Sequence, residues 1–118
     1  MSYDIELVDP VSREVLTLDV PHHMRGGTYC LGGEDRARLN VTYNYSEHFY
    51  RTLGSKGIRT IYGMTGAASI PVLEQAAAML GADTDPDYWK PTEGNARRVL
   101  HQLSALASMR PDGVWEGD

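Results

Sequence analysis

The side chains in this chain that could do chemistry are arginines, amides, hydroxyls and aromatics. Arginine supplies nine of the eleven cations, the others being Lys56 and Lys90. A guanidinium meets phosphate or carboxylate through paired N–H groups, so this bias leaves a small anionic ligand open, a solvated surface with a few ion pairs being the plainer reading. Two arginines stand beside glycine-rich loops. Arg25 leads into Gly26 and Gly27 in segment 22–33, which has Gly-Gly pairs on either side of a short apolar centre, and Arg59 precedes the turn from Gly63 to Gly66. Glycine permits close approach, and successive backbone amides can cradle an anion. Neither loop has the Walker or dinucleotide-binding spacing, and glycines at ordinary turns are the plainer explanation.

Between these loops, residues 39–45 read at period two. Leu39, Val41, Tyr43 and Tyr45 share one face of a strand, and Asn40, Thr42 and Asn44 share the other. The second face is a row of groups that both donate and accept hydrogen bonds, either a solvated sheet surface or the floor of a ligand site. A nucleotide-sized ligand needs a stacking ring, a cation or helix N-terminus, and amides or hydroxyls for sugar and base. The expected polar contacts are Arg25, Thr28, Asn40, Asn44, Arg59, Thr65 and Asn95. Tyr45, Tyr62 or Trp115 is the expected stacking partner.

Catalytic and metal signatures are absent from the spacing. His22, His23, His48 and His101 lack the His-Glu-x-x-His pattern, and the single cysteine, Cys30, cannot build a thiolate zinc site. Cys30 reads as a small buried apolar residue. No catalytic residue, metal or cofactor is expected. The formal net charge of −5 argues against a general nucleic-acid binder, DNA included, because such affinity comes from neutralising phosphates. No apolar run approaches a membrane span, and no basic-then-apolar leader is present, so the expected location is the cytoplasm.

The elements that must position these residues follow from the chain in order. With 118 residues a single domain is expected. Segments 4–8 and 15–20 read as a β-hairpin about an Asp9-Pro10 turn, with Leu16, Leu18 and Val20 on its core face and Pro21 ending the second arm. Residues 28–31 read as a short strand, followed by a turn at Glu34-Asp35. Ser46 is a suitable N-cap for a helix ending at Gly54, with Phe49 and Leu53 facing the core. Residues 57–66 fit a strand or a helical turn equally. Ser69 looks like the cap of a helix closed by Gly81, with Pro71 in its first turn. Thr92 caps the last helix, whose stripe is Ala96, Val99, Leu100, Leu103, Leu106 and Ala107, and Pro111 ends it. The tail 111–118 carries Trp115 as an anchor that could fold back over the body. Strands first and helices later predict an α+β fold, an antiparallel sheet of about four strands from the N-terminal half packed on about three helices from the C-terminal half.

The chain also resembles a family of small, largely uncharacterised proteins of bacterial and phage or prophage genomes. The phrases that carry the resemblance are Arg25-Gly-Gly-Thr-Tyr29, Leu39-Asn-Val-Thr-Tyr-Asn-Tyr-Ser46, Gly57-Ile-Arg-Thr-Ile-Tyr-Gly63, Asp87-Tyr-Trp-Lys-Pro-Thr-Glu-Gly-Asn-Ala96 and Arg110-Pro-Asp-Gly-Val-Trp-Glu-Gly-Asp118. It covers nearly the whole length and implies a context in place of catalytic residues. Small phage proteins without enzymatic signatures often inhibit bacterial defence, some by sequestering nucleotide signals. The expectation is therefore a non-catalytic protein that captures a cyclic or ADP-ribose-type nucleotide signal, as a counter-defence sponge. The alternatives are a protein–protein inhibitor that covers a host defence protein, and a small nucleotide-cleaving enzyme using His22, His23 or His101. A homo-oligomer with a pocket between copies would let a short chain enclose its ligand.

Overall fold

The structure, a computed structural model, describes residues 1–28 and 31–118. Its elements run β1 (Ser2–Val8), β2 (Thr17–His22), β3 (Glu34–Arg36), β4 (Arg38–Thr42), α1 (Ser46–Leu53), α2 (Gly66–Ala78), α3 (Glu93–Met109) and β5 (Val114–Gly117), with 3₁₀ turns at Tyr43–Tyr45 and Gly57–Ile61. The fold is α+β with antiparallel strand pairing, as the order of patterns in the sequence predicts.

Alternation in β1 places Tyr3, Ile5 and Leu7 on one face and Asp4 and Glu6 on the other. β1 is the middle strand of a three-stranded sheet, order β4-β1-β5. Its register sets Tyr3 opposite Val41, Ile5 opposite Leu39, and Leu7 opposite Trp115. These apolar residues join Leu73, Ala76 and Ala77 of α2 and the stripe of α3 from Ala96 to Ala107 in one core. The opposite face pairs Asp4 with Asn40, and Glu6 with Arg38 and Glu116.

The expected 4–8/15–20 hairpin survives only at its turn. Asp9 N donates to Glu14 O at 2.8 Å, and Val8 pairs with Val15. Beyond this point both edges of β1 are taken by β4 and β5, so the second arm must find another partner. β2 pairs instead with β3 in a separate two-stranded sheet. Backbone bonds from Leu7 N to Ala37 O, Ala37 N to Leu16 O and Leu16 N to Leu7 O, each 2.9 Å, close a ring where the two sheets meet. Val20 is consequently 73% exposed and not on a core face. Pro21 lies inside β2, where an edge position tolerates its missing N–H. Glu34 and Asp35 belong to β3 instead of a turn. The expected strand 28–31, and the burial of Cys30, fall on Tyr29 and Cys30, outside the described residues.

Strand β4 stops at Thr42, three residues before the alternation of 39–45 ends. Thr42 Oγ1 accepts from Asn44 N at 3.2 Å and caps a 3₁₀ turn, which carries the chain directly into α1. Ser46 therefore lies within α1 and bonds to the Tyr3 hydroxyl at 2.7 Å, where an N-cap was expected. Segment 57–66 resolves into a 3₁₀ turn that buries Ile58 and Ile61.

Helix α2 begins at Gly66, ahead of the expected Ser69 cap. Thr65 Oγ1 accepts from Ala68 N at 3.1 Å, while the 111–113 turn supplies carbonyls to the first amides. Pro71 sits in the helix interior, and the Ala67 carbonyl that loses its usual donor is on an exposed residue open to water. α3 matches its pattern, with Thr92 Oγ1 accepting from Asn95 N at 3.1 Å. The tail does fold back, as β5 on the second edge of β1, and buries Trp115.

Candidate functional site

The chain leaves β2 through His22, whose ring fixes the next turn. A carbonyl only accepts, so Nε2 donates to Arg38 O at 2.8 Å; Nδ1 accepts from Met24 N at 3.2 Å. Both ring nitrogens are thereby committed to backbone groups. Arg25 follows. The Gln102 carboxamide of α3, with its nitrogen towards Arg25 O and its oxygen towards Arg25 N, clamps that backbone through two contacts of 3.2 Å. Gly27 N then donates to Asn40 O at 2.9 Å.

These contacts explain the first glycine pair. A Cβ on Gly26 would stand 2.4 Å from Asn40 O, and one on Gly27 would stand 2.1 Å from Asn40 Oδ1. Only glycine lets the segment lie flat on β4.

The second wall is the connector between α2 and α3. Buried Asn95 accepts from Asp85 N and donates to Asp87 O and Lys90 O, each at 3.1 Å. Asn44 Nδ2 donates to Trp89 O at 2.8 Å, His48 Nε2 to Pro91 O at 2.7 Å, and the Tyr45 hydroxyl to Tyr88 O. Held this way, Tyr88 turns inward. Its hydroxyl accepts from Thr42 N at 3.1 Å and thus serves the open edge of β4. Trp89 turns outward, 48% exposed, edge-on to Tyr88 with ring centroids 5.0 Å apart.

Between the two walls lies a hollow of about 370 Å³, lined by Arg25, Gly26, Gly27, Thr28, Tyr88 and Trp89. The Arg25 guanidinium carbon sits 5.6 Å from the Tyr88 ring centroid, a cation–π contact. Among the described residues it has no carboxylate partner. Burial, and secondarily Tyr88, pushes the Tyr45 phenol up to about 12, while the charges of Arg98 and Arg25 pull it down. Burial likewise raises Tyr88 against the Thr42 bond and the same two arginines. Arg25 is the guanidinium that lines this hollow.

Thr28 also lines a larger cleft of about 450 Å³. Its floor is the polar face of the main sheet, with Asp4, Glu6, Arg38 and Asn40, and its walls include His22, His23, Met24 and Glu34. Asn40 lies where a ligand floor was expected, but its Nδ2 is used by Ser2 Oγ at 2.8 Å and Asp4 Oδ1 at 2.7 Å.

Of the residues singled out from sequence, Arg25 and Thr28 line the hollow, and Thr28 and Asn40 line the cleft. Asn44 and Asn95 reach the site as supports of the Trp89 wall. Thr42 is buried, so the expected polar row of Asn40, Thr42 and Asn44 does not form one open face. Arg59 lines neither space. It lies 5.0 Å from the Tyr3 ring centroid, and its Nε donates to Asp118 O at 2.8 Å.

Three expected stackers are unavailable. Tyr45 and Trp115 are core residues, and the Tyr62 hydroxyl is buried against Gly117. The second glycine loop also fails as an anion cradle, because the first amides of α2 are occupied. Gly66 N donates to Gly113 O at 2.8 Å, Ala67 N to Pro111 O at 3.1 Å, and Ala68 N and Ser69 N to Thr65.

Sequence reasoning missed Trp89 as the exposed ring beside Arg25 and Gln102 as the clamp. The signal that could have found Trp89 is an aromatic pair in an aperiodic, polar connector with no apolar stripe to join. Among the described residues no cluster of His, Cys, Asp and Glu is arranged to hold a metal ion, and no helix is long and apolar enough to cross a membrane. No family model matches this chain, and neither does any curated protein or solved structure.

Proposed function

We propose that this chain is a non-catalytic binding protein for a small anionic ligand carrying a planar ring, the nucleotide class being the one whose chemistry fits. The observation that carries the reading is Arg25, with no carboxylate partner among the described residues, beside the exposed Trp89 indole and the Gly26-Gly27 backbone. The guanidinium offers paired donors to a phosphoryl group and the indole offers a face to a ring. Three of the four histidines are engaged in contacts of their own, while His23 lines the cleft. His22 is held by two backbone groups, His48 bonds Pro91 O and Arg51, and His101 pairs with Glu74 at 3.1 Å on the α2–α3 surface. A ligand held without turnover is sequestered, which is the counter-defence role that the resemblance to phage proteins leads one to expect.

The test is to load the purified protein from an extract rich in nucleotides, wash, denature, and identify what is released by mass spectrometry. An intact nucleotide in stoichiometric amount is expected. Arg25→Ala should weaken its binding by more than about tenfold, or 1.4 kcal/mol, in calorimetry, with Arg59→Ala unchanged. An altered nucleotide would instead point to an enzyme. An empty protein that captures a stoichiometric protein partner would favour an inhibitor of that partner.

A further inference from the structure

The hollow at Arg25 and the cleft above the main sheet share Thr28 yet differ in charge. The hollow carries Arg25. The cleft carries Asp4 and Glu6 on its floor and Glu34 on its wall, against Arg38. Asp4 Oδ1 accepts from Asn40, and among the described residues no hydrogen bond or ion pair engages the Glu6 carboxylate, although Arg38 and Glu116 are its cross-strand neighbours. An ionised carboxylate only accepts hydrogen bonds and repels a second anion. The cleft therefore suits a donor-rich group without negative charge. Arg38 offsets part of the negative charge of the floor, and no cluster among the described residues is arranged to hold a metal ion.

From this juxtaposition we infer that the two spaces form one bipartite site, and that the ligand carries a sugar on the far side of its phosphates. The inference rests on the binding reading above. The ring lies on Trp89, the phosphates meet Arg25, and past Thr28 the hydroxyls of a terminal sugar donate to Glu6 and Asp4. Carboxylate acceptance from ribose hydroxyls is a general mode of sugar recognition. A plain mononucleotide fills the first space and leaves the second empty.

Calorimetry with ADP and ADP-ribose tests this, because the two share ring, first sugar and diphosphate and differ in the terminal sugar. ADP-ribose is expected to bind at least about tenfold more tightly, the yield of one or two charge-assisted hydrogen bonds. Glu6→Ala should narrow that ratio to about threefold or less. If the variant loses its cooperative unfolding, Asp4→Asn reads the same ratio. Equal affinities for ADP and ADP-ribose in the unaltered protein would overturn the bipartite site while the binding reading stands. A ratio that persists in both variants would also overturn it. Failure of both nucleotides to bind, alongside failure to release any nucleotide from the loaded protein, would remove the underlying reading itself.

Discussion

Trp115 donates from its indole Nε1 to Oγ of Ser69 at 2.7 Å, and Ser69 Oγ donates onward to Gly66 O at 2.8 Å. Both residues are buried, one on the last strand and one inside α2. This relay ties the tail to the helix whose first amides the 111–113 turn already satisfies. Ser69→Ala removes the only acceptor that the indole has among the described residues and should cost about 1–3 kcal/mol, the penalty of a stranded buried donor. Urea unfolding reads it. Trp115→Phe in the same background should add less than it does alone, because the donor has then gone with its acceptor.

The glycines of the Arg25 loop should behave differently from a glycine that only bends the chain. At Gly26 the first obstacle to a Cβ is a backbone oxygen of β4, which cannot swing aside. Gly26→Ala should therefore lift the segment from β4, abolish ligand capture and destabilise by several kcal/mol, about the range of other overpacked sites. Gly32 has φ +82° and nothing within 4 Å of a built Cβ. Gly32→Ala should cost only the left-handed backbone penalty of about 1–2 kcal/mol and leave binding intact. Thermal unfolding and calorimetry of the pair separate close approach from backbone freedom.

Alkaline pH should unfold the protein early. Burial raises Tyr62 and Tyr88 and brings Tyr45 to about 12, against an ordinary phenol value of 10.0. Above that value the unfolded chain releases protons that the folded chain still holds. Stability is therefore complete below pH 10 and is lost as pH rises through the folded values. The Tyr62 hydroxyl has no hydrogen-bond partner among the described residues. Tyr62→Phe should gain about 1 kcal/mol at pH 7, by removing a buried polar group with no partner, and should flatten the alkaline decline. Unfolding midpoints from pH 8 to 11 (roughly the phenol range) give both effects.

What could be read from the chain alone was whatever its own neighbours determine. The α3 stripe from Ala96 to Ala107, with Thr92 before it and Pro111 after it, needs nothing distant to be a helix. The start of α2 does need something distant. Ser69 has the look of a cap, but carbonyls at Pro111 and Gly113 allow the helix to begin four residues earlier, with Thr65 as its cap. Likewise β2 alternates like the second arm of a hairpin, and only the occupation of both β1 edges sends it to β3. The site divides in the same way. Glycine pairs marked Arg25 and Thr28 locally, whereas Trp89 becomes the exposed ring through side chains at positions 44, 45, 48 and 95. Arg59 looked equivalent to Arg25 in sequence, yet it is turned onto Tyr3 by the 3₁₀ turn that carries it.

Asn95 is the residue through which stability and binding should fail together. Its Oδ1 takes Asp85 N, and its Nδ2 serves Asp87 O and Lys90 O, so one buried amide fixes both ends of the segment that carries Tyr88 and Trp89. Asn95→Ala leaves Asp85 N without its acceptor and removes one of two donors from Asp87 O and from Lys90 O, which keep Lys90 N and Thr92 N, and should cost about 1–3 kcal/mol, with loss of ligand capture. Asn95→Asp keeps an acceptor for Asp85 N but turns a carboxylate oxygen onto two carbonyls. At neutral pH it should be at least as damaging as alanine. Only the protonated acid can donate there, so its folded pKa lies above the usual carboxylate value, and the variant should regain stability as pH falls through that value. Urea unfolding at pH 7 and about pH 5, within one or two units of a free carboxylate, distinguishes the cases. If neither variant shifts the midpoint, Asn44, Tyr45 and His48 hold the connector without Asn95, and the Trp89 wall is anchored from α1 and the turn before it.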